Sequence, residues 1–170
     1  MKAMREAPIH IVPYDPTWVA KFEDEKAYLE TLLAPWRRGP IEHVGSTAVV
    51  GLCAKPVIDV MVGVSSLLES EPAKDALREA GYQYSDYRTD IMHWFCKPSF
   101  AMRTHHLHLI PYQSSLWRDR LRFRYLLRTD SALAAEYAVL KQDLAKTFEF
   151  DREAYTEGKA PFISRVLEAG

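Results

Sequence analysis

The amino-acid sequence predicts an α+β fold, a small mixed β-sheet flanked by helices with a helical C-terminal part. Three observations lead there. Residues 57–64 (VIDVMVGV) form a β-branched run without helical spacing, as in a central strand. Apolar residues at helical spacing lie on both sides of that run. The resulting order, helix, strand, strand, helix, strands, helices, lacks the regular alternation of βαβ units. A chain of 170 residues has the length of one domain, and no repeat, linker or low-complexity tract divides residues 1–170.

The first helix starts at Asp15-Pro16, since Asp caps and Pro suits a first turn. Trp18, Phe22, Leu29, Leu32 and Leu33 then recur at helical spacing until Pro35 and Gly39-Pro40 end the run. Residues 41–45 read as a short strand running into a small-residue turn. After the strand at 57–64, Ser65 or Ser66 caps a helix expected to run to Ala80, with Gly81 as its stop. Residues 91–97 and 103–110 read as paired strands joined around Pro98-Ser99. Helices are expected at 115–128, 132–148 and 161–167.

Composition removes several classes of function. The chain is 48% hydrophobic and 26% charged, with a formal net charge of -1. It is therefore neither disordered nor a generally basic nucleic-acid binder. Two cysteines, Cys53 and Cys96, form no CxxC pair, and the chain reads as reduced and cytoplasmic. No apolar run is long enough to span a membrane, and MKAMREAPIH carries no secretory pattern. Six arginines face one acid, Asp119, between Arg103 and Arg128, which makes a local anion site plausible.

The chemistry concentrates in residues 41–60. Gly45 lets backbone approach a ligand, Ser46 and Thr47 add hydroxyls, and a helical turn beginning there leaves N–H groups free. Such an end attracts anions by about 0.3–1 kcal/mol. The alternative is a small-residue turn with a capping serine. Neither GxGxxG nor a Walker loop is present. Asp59 stands in an apolar strand and needs a partner there, either a metal ion or Lys55.

In residues 103–109 a period of two puts His106 and His108 on one face. If strands 41–45, 57–64 and 103–110 are neighbours, His43, Asp59, His106 and His108 converge. That set suits Zn²⁺ or Mn²⁺ better than Mg²⁺. The two strand histidines can instead serve as a general base or phosphate donor, or simply bond nearby backbone. His10, His93 and His105 are assigned no role.

Arg120, Arg124 and Arg128 recur at i, i+4, i+8 and share one helix face. They read as a phosphate clamp or as a solvated face. Tyr155 and Lys159, at i, i+4, read as ligand-stacking and phosphate-pairing groups or as packing and capping of the last helix.

EHVGSTAV at 42–49, GL at 51–52 and AKPVID at 54–59 resemble the GrpB-like family of the nucleotidyltransferase superfamily. The likeness continues at His106-Leu107-His108, Phe123-Arg124, Leu127-Arg128, residues 155–159 and Phe162-Ile163. It implies a nucleotidyltransferase-like fold. It also implies a Gly45-Ser46 turn that cradles a triphosphate and a first metal-binding acid at Asp59. Divalent ions would then align an acceptor for transfer of a nucleoside monophosphate. Arg124 and Arg128 match the family pattern and rank above Arg120 for that reason.

Departures from the pattern bear on activity. Met61 occupies the second-acid position, and His106 and His108 stand where a third acid is expected. Val50 replaces the usual Pro, and Tyr125 the usual Asp. A lone carboxylate cannot hold two Mg²⁺ ions. The expected ligand is a nucleotide or another phosphorylated small molecule, and the leading reading is a metal-assisted nucleotidyltransferase. The alternatives are a catalytically degenerate binding or accessory module and a His/Asp metal-dependent phosphoester hydrolase.

Overall fold

The computed structural model describes residues 7–169. The reading of the first six residues as lacking a secretory pattern lies outside them. Among the described residues five α-helices surround one five-stranded sheet. In chain order these are α1 (Thr17–Leu32), β1 (Arg37–Val44), β2 (Ile58–Val64), α2 (Ala73–Glu79), β3 (Gln83–Ser85), β4 (His93–Pro98), β5 (Arg103–Pro111), α3 (Ser115–Thr129), α4 (Ser131–Thr147) and α5 (Arg152–Ala169). The strand order is β1-β2-β5-β4-β3. Only β2 and β5 are parallel neighbours; the other pairs are antiparallel, so the sheet is mixed.

The register sorts side chains between two faces, because directly paired residues point the same way. Ile58, Val60, Val62 and Val64 join Leu107, Leu109 and Phe95 on one face, where Trp18, Phe22 and Leu29 of α1 and Leu77 of α2 cover them. Met61, Val44, Trp94, Cys96 and Ile110 occupy the other face beneath Trp117 of α3. Asp59, His106 and His108 belong to this second face: Asp59 pairs with His106, and Met61 with His108. The C-terminal helices pack Leu127, Tyr137, Phe162 and Val166 around Val49 and Leu52, closing over the loop that precedes β2.

Local chemistry explains the element ends. Asp15 accepts the Thr17 N–H at 2.9 Å at the start of α1. Ser114 and Asp130 cap α3 and α4 by accepting from Trp117 and Leu133. Three expectations are corrected. The helix predicted from Ser65 to Ala80 is a capped turn followed by α2 only: Ser66 accepts the Glu69 N–H, and Pro72, with no N–H, starts the helix afresh. The last helix begins at Arg152, not at 161, with Asp151 accepting the Ala154 N–H and Pro161 inside the helix. β1 starts at Arg37, ahead of the expected 41–45. The register slips between Arg38 and Glu42, where Gly39 has φ 69°, and the strand passes Pro40. The short β3 carries no alternation that the sequence reveals.

Candidate functional site

Asp59 lies at the start of β2, and its neighbour on the parallel strand presents His106 and His108. A single carboxylate oxygen, Oδ1, is 3.1 Å from His106 Nδ1 and 3.3 Å from His108 Nε2. Both ring nitrogens donate, since a carboxylate only accepts. The His108 tautomer is fixed from its other side as well. Arg120 Nη1 is 3.2 Å from His108 Nδ1, and a guanidinium only donates, so Nδ1 is bare and Nε2 carries the proton. His106 donates through Nδ1, which leaves a lone pair on Nε2. That atom is buried and has no hydrogen-bond partner among the described residues.

Electrostatics agree with two neutral imidazoles on an anion. Burial acts to raise the Asp59 carboxyl, but the hydrogen bonds from His106 and His108 outweigh it and hold the group well below its ordinary range. Burial, helped by the Arg120 charge, pushes His108 down to about 4. Burial lowers His106 too, against the pull of Asp59. The Asp59 side chain remains 25% exposed, so the cluster opens to solvent.

The Gly45 turn abuts this carboxylate. Gly45 has φ 74° and ψ -176°, a conformation essentially confined to glycine. A Cβ added there would lie 2.4 Å from Asp59 Oδ2. The first hydrogen bond of the 3-10 turn Ser46–Ala48 runs from Ala48 N–H to the Gly45 carbonyl at 3.2 Å. The turn itself therefore provides no acceptor for the N–H groups of Ser46 and Thr47. Ser46 interacts with the buried Tyr137 phenol, whereas Thr47 donates inward to the Val57 carbonyl at 3.1 Å.

Three cations gather around the partly exposed Asp59 carboxylate. Lys55 and Lys159 each place Nζ 4.7 Å from the centre of the buried Tyr155 ring. Asp59 acts electrostatically on both lysines and on Arg120. Among the described residues no carboxylate lies within 4.0 Å of any of the three. Burial, reinforced by Lys159, pushes the Lys55 ammonium down to about 7. Lys159 is lowered by burial as well.

Several predicted site residues are placed elsewhere. His43 pairs with Val60 and so faces the α1 side of the sheet. Its ring stacks on Phe22 at 4.6 Å, and its Nε2 bonds Thr47 Oγ1 at 2.9 Å. The expected fourfold convergence with Asp59, His106 and His108 is therefore a threefold one: strand alternation turned His43 away. Arg124 and Arg128 are occupied. Arg124 donates to Glu42 Oε2 at 2.7 Å and to the His43 carbonyl at 2.9 Å. Arg128 donates twice to the Ala48 carbonyl, at 3.0 and 2.7 Å. They fasten α3 to β1 and the Gly45 turn, whereas Arg120, ranked behind them, reaches the cluster. Tyr155 is buried, with two lysines over its ring, so it offers no open face to a ligand base. Lys141 was not singled out, yet it is fully buried, donates to the Cys53 carbonyl and is pushed down to about 7 by burial. Its place directly after the apolar run Ala138-Val139-Leu140 is the signal available in the sequence.

The expected divalent ion is tested by this donor set. Asp59, His106 and His108 offer ligand atoms all within 4.8 Å of one another. Yet the position two residues after Asp59 holds Met61, which is fully buried, and Glu42, on the same face, is bound to Arg124. A two-ion site has only one free acid. A single ion on His108 Nε2 would require the ring proton on Nδ1, where Arg120 already donates, and would add a cation beside a guanidinium. As arranged, the residues do not fit the metal.

Comparison with known proteins agrees with the architecture. A model described as GrpB protein matches residues 8–169. The glutamate-rich protein GrpB of Alkalihalophilus pseudofirmus is 33% identical over 172 residues, covering 98% of each chain. A UPF0157 protein of Pseudomonas aeruginosa is 38% identical over 94% of this chain and 66% of its own length. The crystal structure of conserved protein GrpB from Enterococcus faecalis superposes with a TM-score of 0.84 at 30% identity, over 94% of this chain and 96% of that one. The GLD-2/RNP-8 complex and Cid1 in complex with its short product ApU share the fold alone. Their TM-scores are 0.59 and 0.54 at 13% and 14% identity, over 92% and 80% of this chain and 60% and 43% of theirs. A family match across nearly the whole described chain, with a superposable relative of the same name, makes this chain a member of the GrpB family on a nucleotidyltransferase-like fold.

Proposed function

We propose that the recess around Asp59 binds a nucleotide or another phosphorylated small molecule. The charge of the recess carries this reading. Lys55, Lys159 and Arg120 meet around one carboxylate, and none has an acid of its own among the described residues. Burying unpaired cations is costly, and an anionic ligand offsets that cost. Gly45 keeps the backbone beside Asp59 free of side chain, so a phosphate can approach. The nucleotidyltransferase-like fold supports a nucleotide as the ligand class. Transfer through two divalent ions receives no support from the donor set.

The residues divide the work. Lys55 and Lys159 bind phosphate. Arg120 fixes the His108 tautomer, and Asp59 orients both rings. His106 Nε2 is the one nitrogen of the cluster left to accept a proton, which favours a second reading in which His106 is the general base of a reaction on the bound ligand. A thermal-shift screen with nucleoside mono-, di- and triphosphates tests the first reading. Bound ligand raises Tm by mass action, with a stabilisation of about 2.7 kcal/mol at a hundredfold excess over Kd. Lys55→Ala and Lys159→Ala should abolish the rise and leave apo stability equal or higher. If no phosphorylated compound shifts Tm, the reading is lost.

A further inference from the structure

The disagreement between the fold's expected metal and the residues present has a consequence for the ligand. The position two residues after Asp59, where the fold's pattern places a second acid, is filled by buried Met61. The acid that remains, Asp59, accepts from two imidazoles through one oxygen. His108 is barred from ligation by the Arg120 guanidinium on its far nitrogen. Where a metal would supply positive charge, the chain supplies Lys55 and Lys159, each 4.7 Å from the centre of one tyrosine ring, together with Arg120.

We infer that the recess takes a dianionic phosphate monoester free of divalent metal, with Lys55, Lys159 and Arg120 in the place of the ion. The inference rests on the preceding reading of the recess as a phosphate site. Charge sets the class of ligand. Three cations against Asp59 leave two positive charges when both lysines are protonated. A phosphate monoester near neutral pH carries nearly two negative ones. A triphosphate carries about twice that and normally travels as its Mg²⁺ complex. Lys55 deprotonates easily in the free protein, and an arriving dianion restores its proton. Arg103 and Arg152 add positive potential from further off, while their guanidinium groups bond the Phe100 carbonyl.

Isothermal calorimetry on the full chain tests this with inorganic phosphate, the four common nucleoside monophosphates, ribose 5-phosphate and ATP. Each is titrated in EDTA and again in millimolar Mg²⁺ or Mn²⁺. The expected result is binding of at least one monoester in EDTA, changed less than about threefold by metal, with ATP weaker once Mg²⁺ complexes it. Monoester or ATP binding that appears only on adding metal would overturn the inference and leave the phosphate site standing. ATP binding in EDTA more than tenfold tighter than every monoester would overturn the charge match. No binding in any condition would overturn both. Asp59→Asn supplies an independent measure. In EDTA it should hold or tighten monoester binding, because a repelling charge is removed. A tenfold loss in EDTA, in a variant that melts cooperatively, would show that the carboxylate supports binding instead of opposing it and would overturn the charge match. If that variant does not fold, the EDTA titrations of the unaltered protein decide by themselves.

Discussion

Gly45 is the residue on which the site's geometry turns. Two independent constraints act on it: a dihedral pair that side chains avoid, and a carboxylate oxygen in the space a Cβ would fill. Gly45→Ala is expected to cost about 1–3 kcal/mol in urea denaturation, and phosphate binding should weaken with it because the added methyl group takes up the space through which a phosphate approaches. The histidines give a second expectation at this scale. Burial pushes both His43 and His108 down to about 4. NMR titration should find both rings neutral from pH 8 to about pH 5. A folded-state pKa below the unfolded value of about 6.5 means that the unfolded chain binds more protons between the two. Stability from these groups is therefore complete above pH 6.5 and falls as pH drops from 6.5 toward 4. The residue identities were legible in the sequence: Asp59 in an apolar strand and the His-Leu-His alternation both marked this face. The proton inventory was not, because it depends on Arg120 arriving from a helix that follows in the chain.

Helix α3 shows how one element joins fold and site. Its arginines recur on one face, and the sequence spacing established that much. Which of them meets a ligand is decided by distance along the helix axis. The N-terminal part of α3 passes the His108 end of β5, and its later turns pass β1 and the Gly45 turn. Arg124 is thereby a fastener, and Arg124→Ala leaves the half-buried Glu42 without its partner. A loss of about 1–3 kcal/mol is expected in chemical denaturation. A double-mutant cycle with Glu42→Gln should return most of that as coupling between the two. At the far side of the sheet, Glu25 of α1 accepts from Lys97 at 2.7 and 2.8 Å and from the Tyr82 hydroxyl, which pins α1 to β4 and the chain before β3. That fastening joins residues more than fifty positions apart, and no periodicity announces it.

Across the whole molecule, half-buried Lys55 and buried Lys141 link pH to stability and binding. Lys55 and Lys141 are both pushed down to about 7, burial being the main cause, against an unfolded value near 10.4. Between those values the unfolded chain holds more protons, so these groups make stability rise as pH increases from 7 toward 10. Ligand binding runs the other way. Affinity for a phosphate monoester should fall over the same interval as Lys55 loses its proton. Calorimetry at pH 8 in buffers of different ionisation enthalpy should detect proton uptake on binding. A buffer-independent heat would show that Lys55 does not change protonation there.

The sequence by itself determined the α+β class, the four longer strands, the N-terminal cap of α1, and the segments that carry chemistry. These are local matters: β-branched composition, helical spacing, capping residues and a Gly-Ser-Thr turn act within a few positions of themselves. Tertiary structure decided the rest. The register of β1 on β2 turned His43 toward Phe22, and parallel pairing of β2 with β5 brought Asp59 between two histidines. The docking of α3 chose Arg120 over Arg124 and Arg128, and α5 delivered Lys159 beside Lys55. Electrostatic energy depends on separation in space and on access to water, and neither quantity is a property of position along the chain.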